Sequence, residues 1–298
     1  MVSTSALRIV FVSEKHCRSE LDHPSIIQTI QLFPRLDSEL ISLLKSLSPD
    51  DWRLQTLAPK WKVKDVAAHL LDGNIRAISN LRDNYFGEKS DNVSSYHELV
   101  SFLDGLNASW VKAMERMSPE LIISLLEFTG SMYCEALRKL DPQGEAVFPV
   151  AWAGENSSKN WFHIAREYTE KWHHQQQIRF AVGKTDVLFQ RELYFPFLDT
   201  SLRALPYHYR AIPAVDSTCI EFRISGSGGG KWYLIREQQQ WRLDYKGGIP
   251  DCVVEIEGEA AWRVFTKGMS KEEAEKITII QGVKELGDPI LNLLAVMA

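Results

Sequence analysis

Leucine recurs at positions 36, 40, 43, 44 and 47, the three-and-four spacing of a helix that buries one face. The pattern predicts a first helix over 36–47, behind Pro34, a residue suited to a helix start. Ser48-Pro49-Asp50-Asp51 then reads as a loop before Trp52. A second helix is predicted over 63–86, with Val66, Leu70, Ala77 and Leu81 as its apolar stripe and Gly73 on the same side. A third is predicted over 96–117, and Ser118-Pro119-Glu120 opens a shorter helical segment ending near Leu140. The stretch 141–158 carries Pro142, Gly144, Pro149 and Gly154 and reads as a loop. The next helix is expected over 159–182, closed by Gly183.

The texture changes further on. Residues 184–213 read as a helical connector, and from about residue 215 β-branched and aromatic side chains become denser, with glycines between short runs. Cys219, Glu221 and Arg223 alternate with Ile220, Phe222 and Ile224, as in a half-buried strand. Further strands are expected at 232–235, 240–245 and 252–256, and helices at 258–266 and 289–297. The glycine run 226–230 is followed by Lys231, Trp232 and another strand, so a hairpin turn is expected there and not a phosphate-cradling loop. The whole reads as an α+β protein of two domains: a lead-in at 1–23, a helical part at 24–183, a connector at 184–216 and a small α+β part at 217–298.

Composition narrows the function classes. The net charge of -5 leaves no basic footprint for nucleic acid. No run approaches the roughly 18 uncharged apolar residues that span a membrane, and the N-terminus lacks the order of a secretory signal. A cytoplasmic protein is expected, with Cys17, Cys134, Cys219 and Cys252 as unpaired thiols. Nothing in the sequence speaks to oligomeric state.

The richest chemistry lies in the stretch from Glu167 to Arg179. Glu170 and His174 are four residues apart and share a helical face, a spacing that lets both reach one ion. Gln177 extends that stripe by a turn, and His163 precedes it. His173 is turned about 100° from His174, so only one of the pair is expected to share an ion with Glu170. The opposite face carries Trp161, Ile164, Ala165, Tyr168 and Trp172, and a simple amphipathic reading would bury these and leave Glu170 and His174 in water. His69, beside the apolar stripe of its own helix, reads by itself more readily as a satisfied core residue than as a ligand.

These segments carry a resemblance. Leu36 to Leu44, Trp52, Pro59, Trp61, Val66 and Ala67-Ala68-His69-Leu70 resemble the opening of the mycothiol-dependent maleylpyruvate isomerase family, of the DinB-like bundle superfamily. Glu170-Lys-Trp-His-His174, Ile178-Arg179 and Ala181-Val-Gly183 resemble its second motif. Gln281-Gly282 with 291–297 is similar to its small sterol-carrier-like domain. The resemblance implies a four-helix bundle followed by that domain, and His69, Glu170 and His174 as ligands of one divalent metal, zinc foremost. It also implies a low-molecular-weight thiol as cofactor: a metal-bound thiolate would attack a small electrophilic substrate, in a transferase or isomerase reaction. Arg76, Arg82, Arg166 and Arg179 are candidates for holding substrate carboxylates. A metal-dependent hydrolase using bound water, or a non-catalytic metal- or small-ligand-binding protein, are the alternatives. Two departures stand out. Gln177 occupies a position where the family often has Asp, which is expected to remove an acceptor that orients a ligand. Lys62 stands where a hydroxyl residue would cap the second helix.

Overall fold

The helical part follows the apolar periodicity, with differences at the ends that have local causes. The structure, a computed structural model, describes residues 26–87 and 95–296; the lead-in expected at 1–23 and Cys17 lie outside these residues. Helix α1 spans Phe33–Lys45 and begins earlier than the leucine pattern suggests, because Pro34 sits inside the first turn, where its missing N–H costs nothing. Helix α2 spans Val63–Leu81. Its start has no hydroxyl cap; the Asp65 carboxylate accepts the Lys62 N–H at 2.9 Å instead, and Val63 N donates to Leu54 O at 3.0 Å. It stops short of the expected Phe86 where Asn84 takes a left-handed φ of 52°.

Helices α3, Tyr96–Met114, and α4, Pro119–Arg138, start at Ser95 and Ser118, whose side chains accept the N–H of Glu98 and Leu121. Helix α4 runs for 20 residues and ends at Arg138, two residues before the expected Leu140. Helix α5 covers Asn160–Ala181. Helices α1, α2, α4 and α5 pack on one another, while α3 rests on α2. At one end the shared core holds Leu40, Leu44, Trp52, Val66, Leu70 and Leu126.

A second core begins at Phe33 and Tyr168 and continues without a break into the sheet. Helices α6, Arg191–Leu202, and α7, Leu205–His208, carry it across: α6 packs on α5, and α7 packs against the sheet. Strands β1 (Cys219–Ile224), β2 (Gly230–Glu237), β3 (Gln240–Asp244), β4 (Cys252–Ile256) and β5 (Thr278–Gly282) lie in the order β3-β2-β1-β4-β5. Strand β1 runs parallel to β4 and antiparallel to β2. As the central strand it is buried on both faces, so the expected half-exposure of Cys219 and Glu221 is not seen; Glu221 is offset by Arg223 at 2.5 Å and Lys231 at 3.5 Å. The glycine run is a turn between β1 and β2, tight enough that a Cβ on Gly229 would strike the Ile224 carbonyl.

Two elements were not legible in the pattern. Strand β5 is an edge strand with little burial, and helix α9, Lys271–Lys276, turns only Ala274 inward, so neither shows a periodic apolar signal. Conversely, the helix expected at 289–297 is a 3-10 turn over Asp288–Asn292, after which Ala295 N donates to Phe265 O. Helix α8, Gly258–Phe265, forms where expected. Cys134, Cys219 and Cys252 are free and buried. No helix among the described residues is long and apolar enough to cross a membrane.

Trp172 on α5 joins the two parts. Its ring stacks on Phe197 at 4.2 Å and Tyr194 at 5.1 Å and meets the edge of Trp262 at 6.1 Å. Tyr168 donates to Leu193 O at 2.7 Å, and Tyr194 to Gly258 O at 2.6 Å. Replacing Trp172 by Ala should lower unfolding stability by about 3–5 kcal/mol. Urea titration followed by circular dichroism measures this, and a loss under about 1 kcal/mol would contradict the stack's role.

Candidate metal centre

Helix α5 is buried on nearly all sides, by α1 and α2 on one flank and by α6 on the other. The simple amphipathic reading therefore fails: Glu170 and His174 face the helical interior, while Trp172 faces the sheet domain. A buried polar face must find partners within the protein or in a ligand, and the partners can be traced atom by atom.

His174 Nε2 lies 3.5 Å from Glu170 Oε2, as the four-residue spacing requires. Across the gap from α2, the His69 ring meets the His174 ring edge-on at 4.6 Å, and Trp61 covers His69 at 4.7 Å. Gln177 Oε1 lies 3.0 Å from His174 Nδ1 and accepts its proton. That contact corrects the expectation drawn from the sequence: glutamine at 177 supplies an acceptor, and it leaves the Nε2 lone pair of His174 aimed at the site. Two further atoms, His69 Nδ1 and Glu170 Oε1, are buried with no hydrogen-bond partner.

His173 is closer to the cluster than its helical angle suggests. Its ring is 3.9 Å from that of His174, and its Nδ1 is 4.0 Å from Glu170 Oε2. Among the described residues, ligand atoms of Glu170, His173 and His174 lie within 4.8 Å of one another, a group able to hold a metal ion. However, His173 Nδ1 is 3.0 Å from the Thr169 carbonyl, which can only accept, so that nitrogen carries a proton and has no lone pair to offer.

The electrostatics suit a ligand set. Burial alone would raise the Glu170 carboxyl, but its close contact with His174, together with the influence of His173 and Arg166, brings it down to about 2. Burial, reinforced by His174, holds His69 well below the ordinary histidine range. Burial and His174 likewise lower His173 to about 3. At neutral pH the site thus presents an ionised Glu170 carboxylate and neutral His69 and His173 imidazoles, the protonation states that metal binding demands.

The cluster opens on a cavity of about 40 Å³ between α2, α4 and α5, bounded also by Gly73, Asn74, Tyr133 and Lys171. A Cβ on Gly73 would meet nothing within 4 Å, so the glycine leaves this wall open. Tyr133 donates to Glu167 Oε2 at 2.6 Å, and Glu167 Oε1 accepts from Arg166 at 2.7 Å. Lys171 pairs with Asp37 at 2.6 Å. Sequence reasoning assigned no role to Tyr133, Glu167, Lys171 or Asn74; of these, Glu167 and Lys171 stood within the stretch from Glu167 to Arg179 that it singled out.

The four candidate arginines are not gathered around the cavity as unpaired cations. Arg76 pairs with Asp72 at 2.9 Å, Arg82 with Asp83 at 2.7 Å, Arg166 with Glu167 at 2.7 Å and Arg179 with Glu39 at 3.4 Å. Each is matched by an internal carboxylate.

With this geometry in place, the comparisons with known proteins can be set beside it. Residues 33–179 match the model of the mycothiol maleylpyruvate isomerase N-terminal domain. These residues belong to that domain family. The match holds all the residues of the His/Glu cluster and ends at Arg179, before the connector and the sheet. Two solved structures are similar, a mycothiol-dependent maleylpyruvate isomerase and a histidine-to-alanine mutant of it. They show 13% and 12% identity, and for both the alignment covers 81% of this chain and 88% of the other, with a TM-score of 0.49. No curated protein matches the chain in sequence.

Two outcomes are expected. Gln177→Leu should weaken metal affinity about 10–100-fold while Gln177→Glu keeps it; competition with a chelator reads this, and equal affinities would remove Gln177 from the ligand-orienting role. The second concerns acid. Burial, together with Arg166, lowers His163 to about 4 even though Glu167 opposes the shift. Between the ordinary histidine value of about 6.5 and that lowered value, the unfolded chain takes up a proton that the folded chain refuses. Stability should therefore be intact above the ordinary value and fall as the pH drops through this window. His163→Gln should flatten that part of a melting-temperature profile; an unchanged slope would show that His163 is not its source.

Proposed function

We propose that the chain is a metal-dependent enzyme of the isomerase or transferase class, using a low-molecular-weight thiol on a small electrophilic substrate, with His69, Glu170 and His174 holding one divalent ion. The observation that carries the reading is the pair of buried, partnerless atoms, His69 Nδ1 and Glu170 Oε1, on residues that line one cavity with His174. A small cation answers both at once, and two imidazoles with one carboxylate are a common zinc set that leaves a position open. Membership of residues 33–179 in the mycothiol maleylpyruvate isomerase N-terminal domain family supports mycothiol as the thiol and isomerisation as the reaction.

A bound divalent ion supplies Lewis acidity that lowers the pKa of a thiol beside it, and the thiol supplies the nucleophile. The chain's own residues do the rest. Gln177 fixes the tautomer and ring plane of His174. Glu170 stays ionised through the neutral range and balances part of the cation's charge. Trp61 and Leu70 keep water from the histidines, and Gly73 leaves room for the incoming molecule. Tyr133 holds its proton, since burial and the Glu167 carboxylate raise its pKa well above the usual phenol value.

A second ligand set has an observation in its favour, the proximity of His173 to Glu170 and His174. Elemental analysis separates the two. The wild-type chain should carry about one divalent ion. His69→Ala and His174→Ala should lose it, and His173→Ala should keep it; retention in His69→Ala with loss in His173→Ala would install His173 as the ligand. With cobalt in the site, adding mycothiol should give a sulfur-to-metal charge-transfer band. A loaded protein whose spectrum no thiol changes would overturn the thiol reading in favour of chemistry by bound water.

A further inference from the structure

The cavity beside the His/Glu cluster has one more partnerless buried atom. Asn74, on α2, is 1% exposed and lines the same cavity as His69 and Glu170. Its Nδ2 donates to Thr129 Oγ1 on α4 at 3.0 Å, whereas its Oδ1 is buried with no partner.

The orientation of this amide follows from its neighbour. Thr129 Oγ1 lies 2.7 Å from the Leu125 carbonyl, which can only accept, so the single hydroxyl proton of Thr129 is committed there. Toward Asn74 the hydroxyl can then only accept, and the amide must turn its NH₂ to it. Oδ1 is left as a fixed acceptor. The cationic neighbours of the cluster, Lys171, Arg166 and Arg76, already have their carboxylates in Asp37, Glu167 and Asp72. The wall therefore asks a ligand for a hydrogen-bond donor and not for an anion.

We infer that Asn74 Oδ1 receives an N–H or O–H of the thiol that enters this cavity, and so sets which thiols are accepted. The inference rests on the thiol reading above. Electrophilic substrates are rich in carbonyl and carboxylate acceptors, whereas a thiol built on an amide or a sugar carries donors within a few bonds of its sulfur. Asn74 lines the same cavity as the His/Glu cluster, so a sulfur at the cluster would bring such a donor toward the α2 wall. A buried acceptor left unmatched penalises any thiol without that donor.

The test is binding to the cobalt-loaded full-length chain, read from the charge-transfer band, with mycothiol as the donor-bearing probe and ethanethiol as the probe without one. Asn74→Leu should keep the metal, bind ethanethiol as the wild type does, and bind mycothiol about five- to tenfold more weakly. Thr129→Val, which frees the amide to turn, should shift mycothiol affinity in the same direction, and Thr129→Ser should restore it; this pair carries the test if Asn74→Leu does not fold. Mycothiol affinity within about twofold of wild type in both Asn74→Leu and Thr129→Val overturns the role of Asn74 and leaves the thiol reading standing. A wild-type protein that binds neither thiol overturns that reading first, and the role of Asn74 with it.

Discussion

Burial of helix α5 on nearly every side is the constraint around which the molecule is arranged. A helix at the surface can give its polar stripe to water, but α5 has α1 and α2 against one flank and α6 and the sheet domain against the other. Each polar group on it must be satisfied inside, and most are: Lys171 by Asp37, Arg179 by Glu39, Glu167 by Tyr133 and Arg166, His173 by the Thr169 carbonyl. The pairing is not complete: Arg166 Nε, Trp172 Nε1 and Gln176 Oε1 are buried without a partner, and so, on residues that line the cavity, are Glu170 Oε1 and His69 Nδ1. Those last two lie where a ligand could meet them.

The same constraint explains what was legible in the sequence. Glu170 and His174 were visible as a pair because their spacing is a property of the helix itself. Their burial was not, because it depends on Trp172 stacking against Phe197 and Tyr194, residues of α6 whose partnership no local pattern encodes. The second departure, at Lys62, was resolved by Asp65, a side chain already in view but not counted as a cap. Gln177 shows the opposite error. It was read by comparison with an aspartate, as a loss of charge, although the function at that position is acceptance of one proton from His174 Nδ1, which an amide oxygen performs as well. Strand β5 and helix α9 escaped because both lie at an edge with little to bury, and periodicity reports burial only.

Gly73 shows how the site and the stability of its scaffold are traded. An internal helical glycine costs about 1 kcal/mol relative to alanine, yet one stands in the middle of α2, one turn beyond His69. Gly73 lines the cavity, and a Cβ there would meet nothing within 4 Å. Asn74, the next residue, is held rigid by α4 through Thr129, so the open wall and the polar wall are consecutive positions of one helix.

The reach of the family domain and the reach of the cooperative structure differ. The domain match stops at Arg179, but the core around Trp172 runs on through α6 into β1, β2 and α8 without an interruption. Cut at the domain boundary, the chain would present to water the aromatic face that the sheet now covers, and α5 would have one solvated side. Helix α5 would then be free to rotate its polar stripe outward, toward the amphipathic arrangement its sequence favours. The sheet domain is thus the buttress that keeps Glu170 and His174 turned inward, and the segment that matches the family model is not the whole of the packed core.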